Sequence, residues 1–197
     1  PALIVTLGMM YIARGIAYLT TGGLVVTLSR RFIKDPALDN FIFLGRGKIF
    51  DVIPSMSMAF VAVAVIGYFI YHKNIIGYRM RAVGGNADAA RVSGLNVEFV
   101  KIAAFTITGL LAAFGGIINC SFLNTGQATA GMSLELDVIA ATILGGTSLT
   151  GGEGSIIGTV IGVLILGVLR NGLVLVGVSP FLQMVIIGAV LVGAVAI

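Results

Sequence analysis

Several apolar stretches of this chain run for the roughly 18–20 residues that an α-helix needs to cross a bilayer. Among them are Ala2 to Leu19, Asp51 to Tyr71, Phe99 to Asn119 and Ile156 to Val176. No other feature limits the fold so strongly. In hydrocarbon every backbone N–H and C=O must find its partner inside the protein, so stretches of this length are read as helices. Of the 197 residues, 58% are hydrophobic and 10% charged. Soluble domains carry roughly 25% charge, so a solvated globular surface is excluded. The expected fold is all-α: a polytopic transmembrane helical bundle of about five to six membrane segments, forming one membrane domain over residues 1–197.

The 28 glycines belong to the same picture. They lie inside apolar runs, where small residues let helices approach closely. Gly154, Gly158 and Gly162 recur every four residues, the small-xxx-small spacing of close helix packing. Cys120 is the single cysteine and His72 the single histidine. No disulfide, no shared metal and no nucleophile–base pair can be assembled from them. The chain is therefore expected to be no enzyme and to need no cofactor. A net charge of +4 suits membrane loops and gives no nucleic-acid groove. The chain starts at Pro1 without a readable signal peptide and stops at Ile197 inside an apolar run, so it is expected to be part of a longer protein.

Along the chain, Arg14 is the one ionisable residue recognised deep within a span; it either anchors at an interface or serves a function. Thr20 to Gly23 then breaks the run. Ser29 to Phe50 is a polar connection carrying Arg30, Arg31, Lys34, Arg46 and Lys48 against Asp35 and Asp39. Pro36 and the Gly45-Arg46-Gly47 turn argue against one continuous helix there. Gly45 to Lys48 lacks the frame of a phosphate loop. Tyr68, Tyr71 and His72 suit a membrane interface.

Cys120 to Ser133 is uncharged and rich in small residues, a loop or cavity lining. In and beside it Asn119, Ser121, Asn124 and Gln127 carry amides and hydroxyls. Leu134 to Leu144 is too short to cross alone. It opens with Glu135 and Asp137, which can cap its N-terminus, and runs into a glycine-rich stretch ending at Gly154, so it either spans or re-enters. Gly146 and Gly151 have Walker-like spacing, but Gly152 and Glu153 stand where lysine and Ser/Thr would be. Phe181 to Ile197 is a last span.

Between two apolar runs lies a polar island, Gly77 to Lys101. Gly84-Gly85 is expected to break the backbone, and Asn86 is a good N-cap. Asp88 favours the helix dipole in the first turn. Ala87 to Ser93 would then form about two turns, closed by Gly94 in a left-handed conformation. So short a helix, with its smooth alanine face, needs something to dock on. Charge does not orient the island. It and its flanks carry five cations (Lys73, Arg79, Arg81, Arg91, Lys101), as does the loop across the preceding span.

The run YRMRAVGGN over residues 78–86, followed by Ala89-Ala90 and Ser93-Gly94-Leu95, resembles the cytoplasmic coupling region of ABC-importer permeases of the ribose/monosaccharide type. That branch is shared with branched-chain amino-acid permeases. PALIVTLGMM over 1–10 with Arg14-Gly15, Thr129-Ala130-Gly131 with ELDVIAA over 135–141, and LGGTSLTGGEG over 144–154 are similar to further stretches of the family. Family members are longer, and Arg30 to Lys48 matches least.

The resemblance implies that the island, residues 77–101, faces the cytoplasm and docks on a separate ATPase subunit. Arg79, Arg81, Gly84, Gly85, Asn86, Ala89, Ala90, Ser93 and Gly94 would make or shape that contact. It further implies ATP-driven import of a ribose-like monosaccharide by alternating access, with Asn119, Ser121, Asn124 and Gln127 as chemically suitable pathway residues, a second permease subunit, an extracytoplasmic sugar-binding protein, and a place in the bacterial cytoplasmic (inner) membrane. The alternative from another class is an ion-coupled carrier or a passive channel; a coupled carrier would show ionisable residues deep in its spans.

Overall fold

The computed structural model describes residues 2–28 and 35–196. Arg30, Arg31 and Lys34 of the polar connection lie outside the described residues. The chain forms two compact units, Pro1–Phe60 with Gly109–Met132, and Val61–Thr108 with Ser133–Ile197. Helices α1 (Ala2–Thr21), α3 (Ser55–Lys73), α6 (Val97–Leu123) and α8 (Ile156–Leu175) are long and apolar enough to cross a membrane. Helices α9 (Pro180–Ala196) and α7 (Leu134–Leu144) are shorter, at 17 and 11 residues. No more than 6% of any long span is buried by the chain itself. Their apolar faces are turned outward, as helices solvated by lipid require.

In the first unit α1 ends where its threonines fold back: Thr21 Oγ1 donates to the Ala17 carbonyl at 2.8 Å. Gly22 then turns left-handed at φ +59°, and the Gly23 amide closes on the Tyr18 carbonyl at 3.1 Å. Strand β1 (Val26–Thr27) pairs antiparallel with β4 (Thr125–Gly126). Helix α2 (Ala37–Arg46) begins after Pro36, with the Asp35 carboxylate accepting from the Ala37 amide at 2.8 Å. A short hairpin, β2 (Lys48–Ile49) with β3 (Ile53–Pro54), turns through Phe50 and Asp51, both at positive φ, into α3.

Two local expectations fail here for one reason. Gly45, expected in a turn, lies inside α2. Cys120 to Ser133, expected as loop or cavity lining, gives its first turn to α6, which runs to Leu123. A Cβ on Gly45 would overlap the Phe122 nitrogen and the Ser121 hydroxyl, so α2 and the end of α6 touch backbone to backbone. Ser121, 0% exposed, holds that contact: its hydroxyl accepts from the Gly45 amide at 2.8 Å and donates to the Phe41 carbonyl. Glycine and serine serve close approach here, and composition alone cannot tell that use from a turn.

In the second unit, asparagines punctuate the polar island. Asn74 Oδ1 accepts from the Ile76 amide at 3.0 Å and starts α4 (Ile75–Gly85). Asn86 starts α5 (Ala87–Val92), and Asn96 Oδ1 accepts from the Phe99 amide at 3.0 Å at the head of α6. Gly84 and Gly85 do not break the backbone; they form the last turn of α4. Thr106 and Thr108 donate to the carbonyls four residues back, as a hydroxyl in a lipid-facing helix must.

Helices α7 and α8 cross at contact distance. A Cβ on Gly158 would fall on the Gly145 carbonyl oxygen, and one on Gly162 on the Ala141 carbonyl oxygen. Gly154, expected on the same helical face, lies before α8, beside the Thr147 side chain and the Tyr71 hydroxyl. Ser155 caps α8 instead, accepting from the Gly158 amide at 3.2 Å.

Candidate functional site

Asn86 is extended at φ −154°, ψ 103°, and its side-chain oxygen takes two amides that would otherwise be orphaned, Asp88 at 3.1 Å and Ala89 at 2.9 Å. At the other end Gly94 sits at φ +83°. The Leu95 amide reaches back to the Ala90 carbonyl at 3.0 Å, a Schellman closure that only a residue free of Cβ strain supports cheaply. Ser93 Oγ donates to the Ala89 carbonyl at 2.9 Å. Replacing Asn86 with alanine is expected to cost about 1 kcal/mol of local helix stability. In hydrogen–deuterium exchange the Asp88 and Ala89 amides should lose protection, whereas Asn86→Asp should keep it.

A helix this short is held by its neighbours. Val83, Ala90, Val97 and Val100 form a small buried core between α4, α5 and α6, with Met80, Ala87 and Leu95 against it. Ala90 thus faces inward at 5% exposure. The outward face carries Asp88, Ala89, Arg91 and Val92, and Val92 is 90% exposed. Asp88 and Arg91 are 3.8 Å apart on that face, too exposed for the pair to add much stability. Arg79 is exposed on α4. Arg81 lies over two aromatic rings, 4.6 Å from the Tyr78 centroid and 5.1 Å from that of Tyr71. Cation–π contacts of this kind fix α4 on the end of α3. Sequence reasoning missed Val92; an apolar residue on a short exposed helix was its signal.

It also missed a charge pair. Arg170 Nη2 stands 2.9 Å from Asp137 Oδ2, joining α8 to the first turn of α7. Arg14 is therefore not the only cation within a long apolar helix. The two charges edge a cavity of about 190 Å³ whose other walls are apolar, among them Leu134, Val138, Val163, Leu166 and Ile187. Each charge alone is costly in hydrocarbon, and pairing is the usual remedy. An arginine in an otherwise apolar helix was the available signal.

The residues proposed from chemistry for a polar pathway diverge. Ser121 is enclosed and committed to α2. Asn119 is half-buried on α6, and Gln127 is exposed, its Nε2 3.5 Å from Thr125 Oγ1. Asn124 turns left-handed at φ 58°, gives its backbone carbonyl to the Leu28 amide at 3.0 Å, and keeps a buried side-chain oxygen without a hydrogen-bond partner. Among the described residues no group of three or more His, Cys, Asp or Glu could hold a metal ion.

Four helices of membrane length, a capped polar helix on its own small core and a glycine-tight helix crossing define a polytopic helical membrane protein. The family model for the branched-chain amino acid transport system / permease component matches residues 1–195. The chain belongs to that family and is a multi-pass membrane protein. It is 45% identical over 193 residues to the ribose import permease protein RbsC of Bacillus subtilis (strain 168), covering 98% of this chain and 58% of that protein. To RbsC of Escherichia coli (strain K12) it is 43% identical over 196 residues, covering 100% of this chain and 60% of that protein. To the L-arabinose transport system permease protein AraH of Escherichia coli (strain K12) it is 40% identical over 194 residues, 98% of this chain and 56% of that protein. The chain thus spans about three fifths of the length of the curated relatives it matches. No solved structure matches it.

Proposed function

We propose that the full-length protein is the membrane-spanning subunit of an ATP-driven importer of a ribose-like monosaccharide in the bacterial cytoplasmic membrane. The observation that carries this reading is α5: a capped helix, seated on its own core, that presents Val92, Ala89 and two charges outward. Such a surface suits insertion into a groove on a separate ATPase subunit. Hydrolysis of ATP belongs to that subunit, and the chain itself performs no covalent chemistry. The relatives' names, ribose import and L-arabinose transport permeases, support a sugar as cargo. A second permease subunit would cover part of the outward apolar faces, and an extracytoplasmic binding protein would deliver the sugar. Asn119, Asn124 and Gln127 are the polar groups proposed for its path.

Coupling follows from differential contact. A docked helix transmits force only if it binds the ATPase differently in the two nucleotide states. Arg79, Arg81, Gly84, Gly85, Asn86, Ala89, Ala90, Ser93 and Gly94 divide accordingly: Ala89 and Arg79 face the partner, Arg81, Asn86, Ala90, Ser93 and Gly94 cap, seat or brace the helix, and Gly84 and Gly85 lie against Gly151 and Gly152 instead.

A Val92→Asp change in the full-length protein, co-expressed with its ATPase, tests this. It places a charge where an apolar contact is expected, so co-purification of the ATPase should fall about tenfold or more, the effect of losing an interface hot spot of roughly 2 kcal/mol. Unchanged co-purification and sugar uptake would remove α5 from the interface. The Asp137–Arg170 pair, which joins α7 to the membrane-length α8, is the one observation favouring an ion-coupled carrier. Uptake by proteoliposomes that persists without ATP and responds to an ion gradient would decide for that reading.

A further inference from the structure

Two glycine pairs distant in sequence meet in the second unit. Gly84 and Gly85 form the last turn of α4; Gly151 and Gly152 lie in the loop between α7 and α8, at φ +92° and +81°. A Cβ on Gly84 would stand 2.6 Å from the Gly152 nitrogen, one on Gly151 2.7 Å from the Gly84 oxygen, and one on Gly152 2.6 Å from the Gly85 Cα. The contact is therefore backbone on backbone, with no rotatable side chain between the two segments to absorb a displacement.

Both segments are braced. On one side α4 runs into α5 through Asn86, whose amide donates to the Ala82 carbonyl at 3.1 Å and whose carbonyl accepts from the Ala90 amide at 3.0 Å. Val83 and Ala90 share one buried core. On the other side the loop is closed by the Ser148 amide on the Glu153 carbonyl at 3.1 Å. It is joined to α7 by the Thr147 amide on the Thr142 carbonyl at 3.0 Å, a Schellman closure around Gly146. It enters α8 through the Ser155 cap, and α7 and α8 are locked to each other at Gly145, Gly158 and Gly162.

We infer that the joint of Gly84-Gly85 with Gly151-Gly152 is a positioning contact of the transport cycle, carrying displacement of α5 into the α7–α8 pair and its Asp137–Arg170 bridge. This rests on the reading of α5 as the ATPase-docking helix. Stiffness is the reason glycine is needed on both sides: a methyl group at Gly84 forces the loop away and inserts a gap or a strain into the connection.

The test uses the full-length protein assembled with its ATPase and binding protein in proteoliposomes. Gly84→Ala is expected to keep ATPase co-purification and hydrolysis while lowering sugar transported per ATP by about tenfold, within the range of coupling between linked sites. Gly167→Ala, which lies outside the joint and whose Cβ meets nothing within 4 Å, should stay within about twofold of wild type. A wild-type transport-to-hydrolysis ratio in Gly84→Ala, or loss of ATPase binding in it, overturns the inference.

A second measurement does not depend on that variant: spin labels at Ala82→Cys and Glu153→Cys, both exposed positions. Their separation should stay constant between nucleotide-free and ATP-bound states. A change of more than about 5 Å, the scale of a one-turn slip, would show that the joint does not move as a unit. If Val92→Asp leaves ATPase binding intact, the docking reading fails and the joint's role falls with it. If Val92→Asp abolishes binding while Gly84→Ala couples normally, only the joint fails.

Discussion

Leucine in place of Gly162 should destabilise the full-length protein by about 3 kcal/mol, at the upper end of overpacking costs. The first added carbon already meets backbone: it would fall on the Ala141 carbonyl oxygen and lie 3.1 Å from the Gly145 nitrogen. Neither atom can rotate away, because both belong to α7 or its C-cap. The helices must separate, and the dispersion contacts along the crossing are lost with them. Gly167, in the same helix, has nothing within 4 Å of its Cβ direction. Gly167→Ala should therefore be neutral or stabilising by about 0.5–1 kcal/mol, since alanine orders a helix at lower entropic cost than glycine. Denaturation midpoints in detergent, followed by helical circular dichroism, separate the two. Equal midpoints for Gly162→Leu and wild type would show that the α7–α8 crossing is not tight.

The second large effect is asymmetric. The Arg170 side chain is 51% exposed and that of Asp137 26% exposed. Arg170 has a long stem and stands in the last part of α8, so without its partner it can reach toward an interface. Asp137 has no such reach. Arg170→Ala, which strands the aspartate, is therefore expected to cost about 2–3 kcal/mol, close to the cost of an unpaired charge in a span. Asp137→Ala should cost about 1 kcal/mol or less, the order of an exposed pair. The double alanine variant should recover most of the Arg170→Ala loss, because it leaves no charge unpaired. A double-mutant cycle on unfolding midpoints measures this, and additive single effects would mean the pair contributes no coupling.

These expectations also mark where the sequence was informative. Asn86, Gly94 and the helix between them were legible because capping is local: one side chain, two amides and one left-handed glycine settle it within a short segment. Only the inward turn of Ala90 and the outward turn of Val92 were not, since α4 and α6 decide which face is covered. Gly84-Gly85 looked like a break because tandem glycine usually is one; Gly151-Gly152 supply the neighbour that makes glycine necessary inside a helix. Asp137 was visible as an N-terminal charge on α7, but its partner lies in another helix. Ser121 had the chemistry of a sugar contact, and the close approach of Gly45 takes its hydroxyl instead.

By itself the sequence determined the solvent and the class of the protein. Runs of about 20 apolar residues leave the backbone no choice but helix in lipid, and the motifs around Asn86 and over residues 144–154 carried the family. Tertiary structure alone decided which small residues touch, which charges pair and which face of α5 is free. Those outcomes depend on groups far apart in the chain meeting at backbone distance, and no periodicity within one segment encodes its neighbour. The capped island is readable in one dimension; the joint that ties it to α7 and α8 exists only in three.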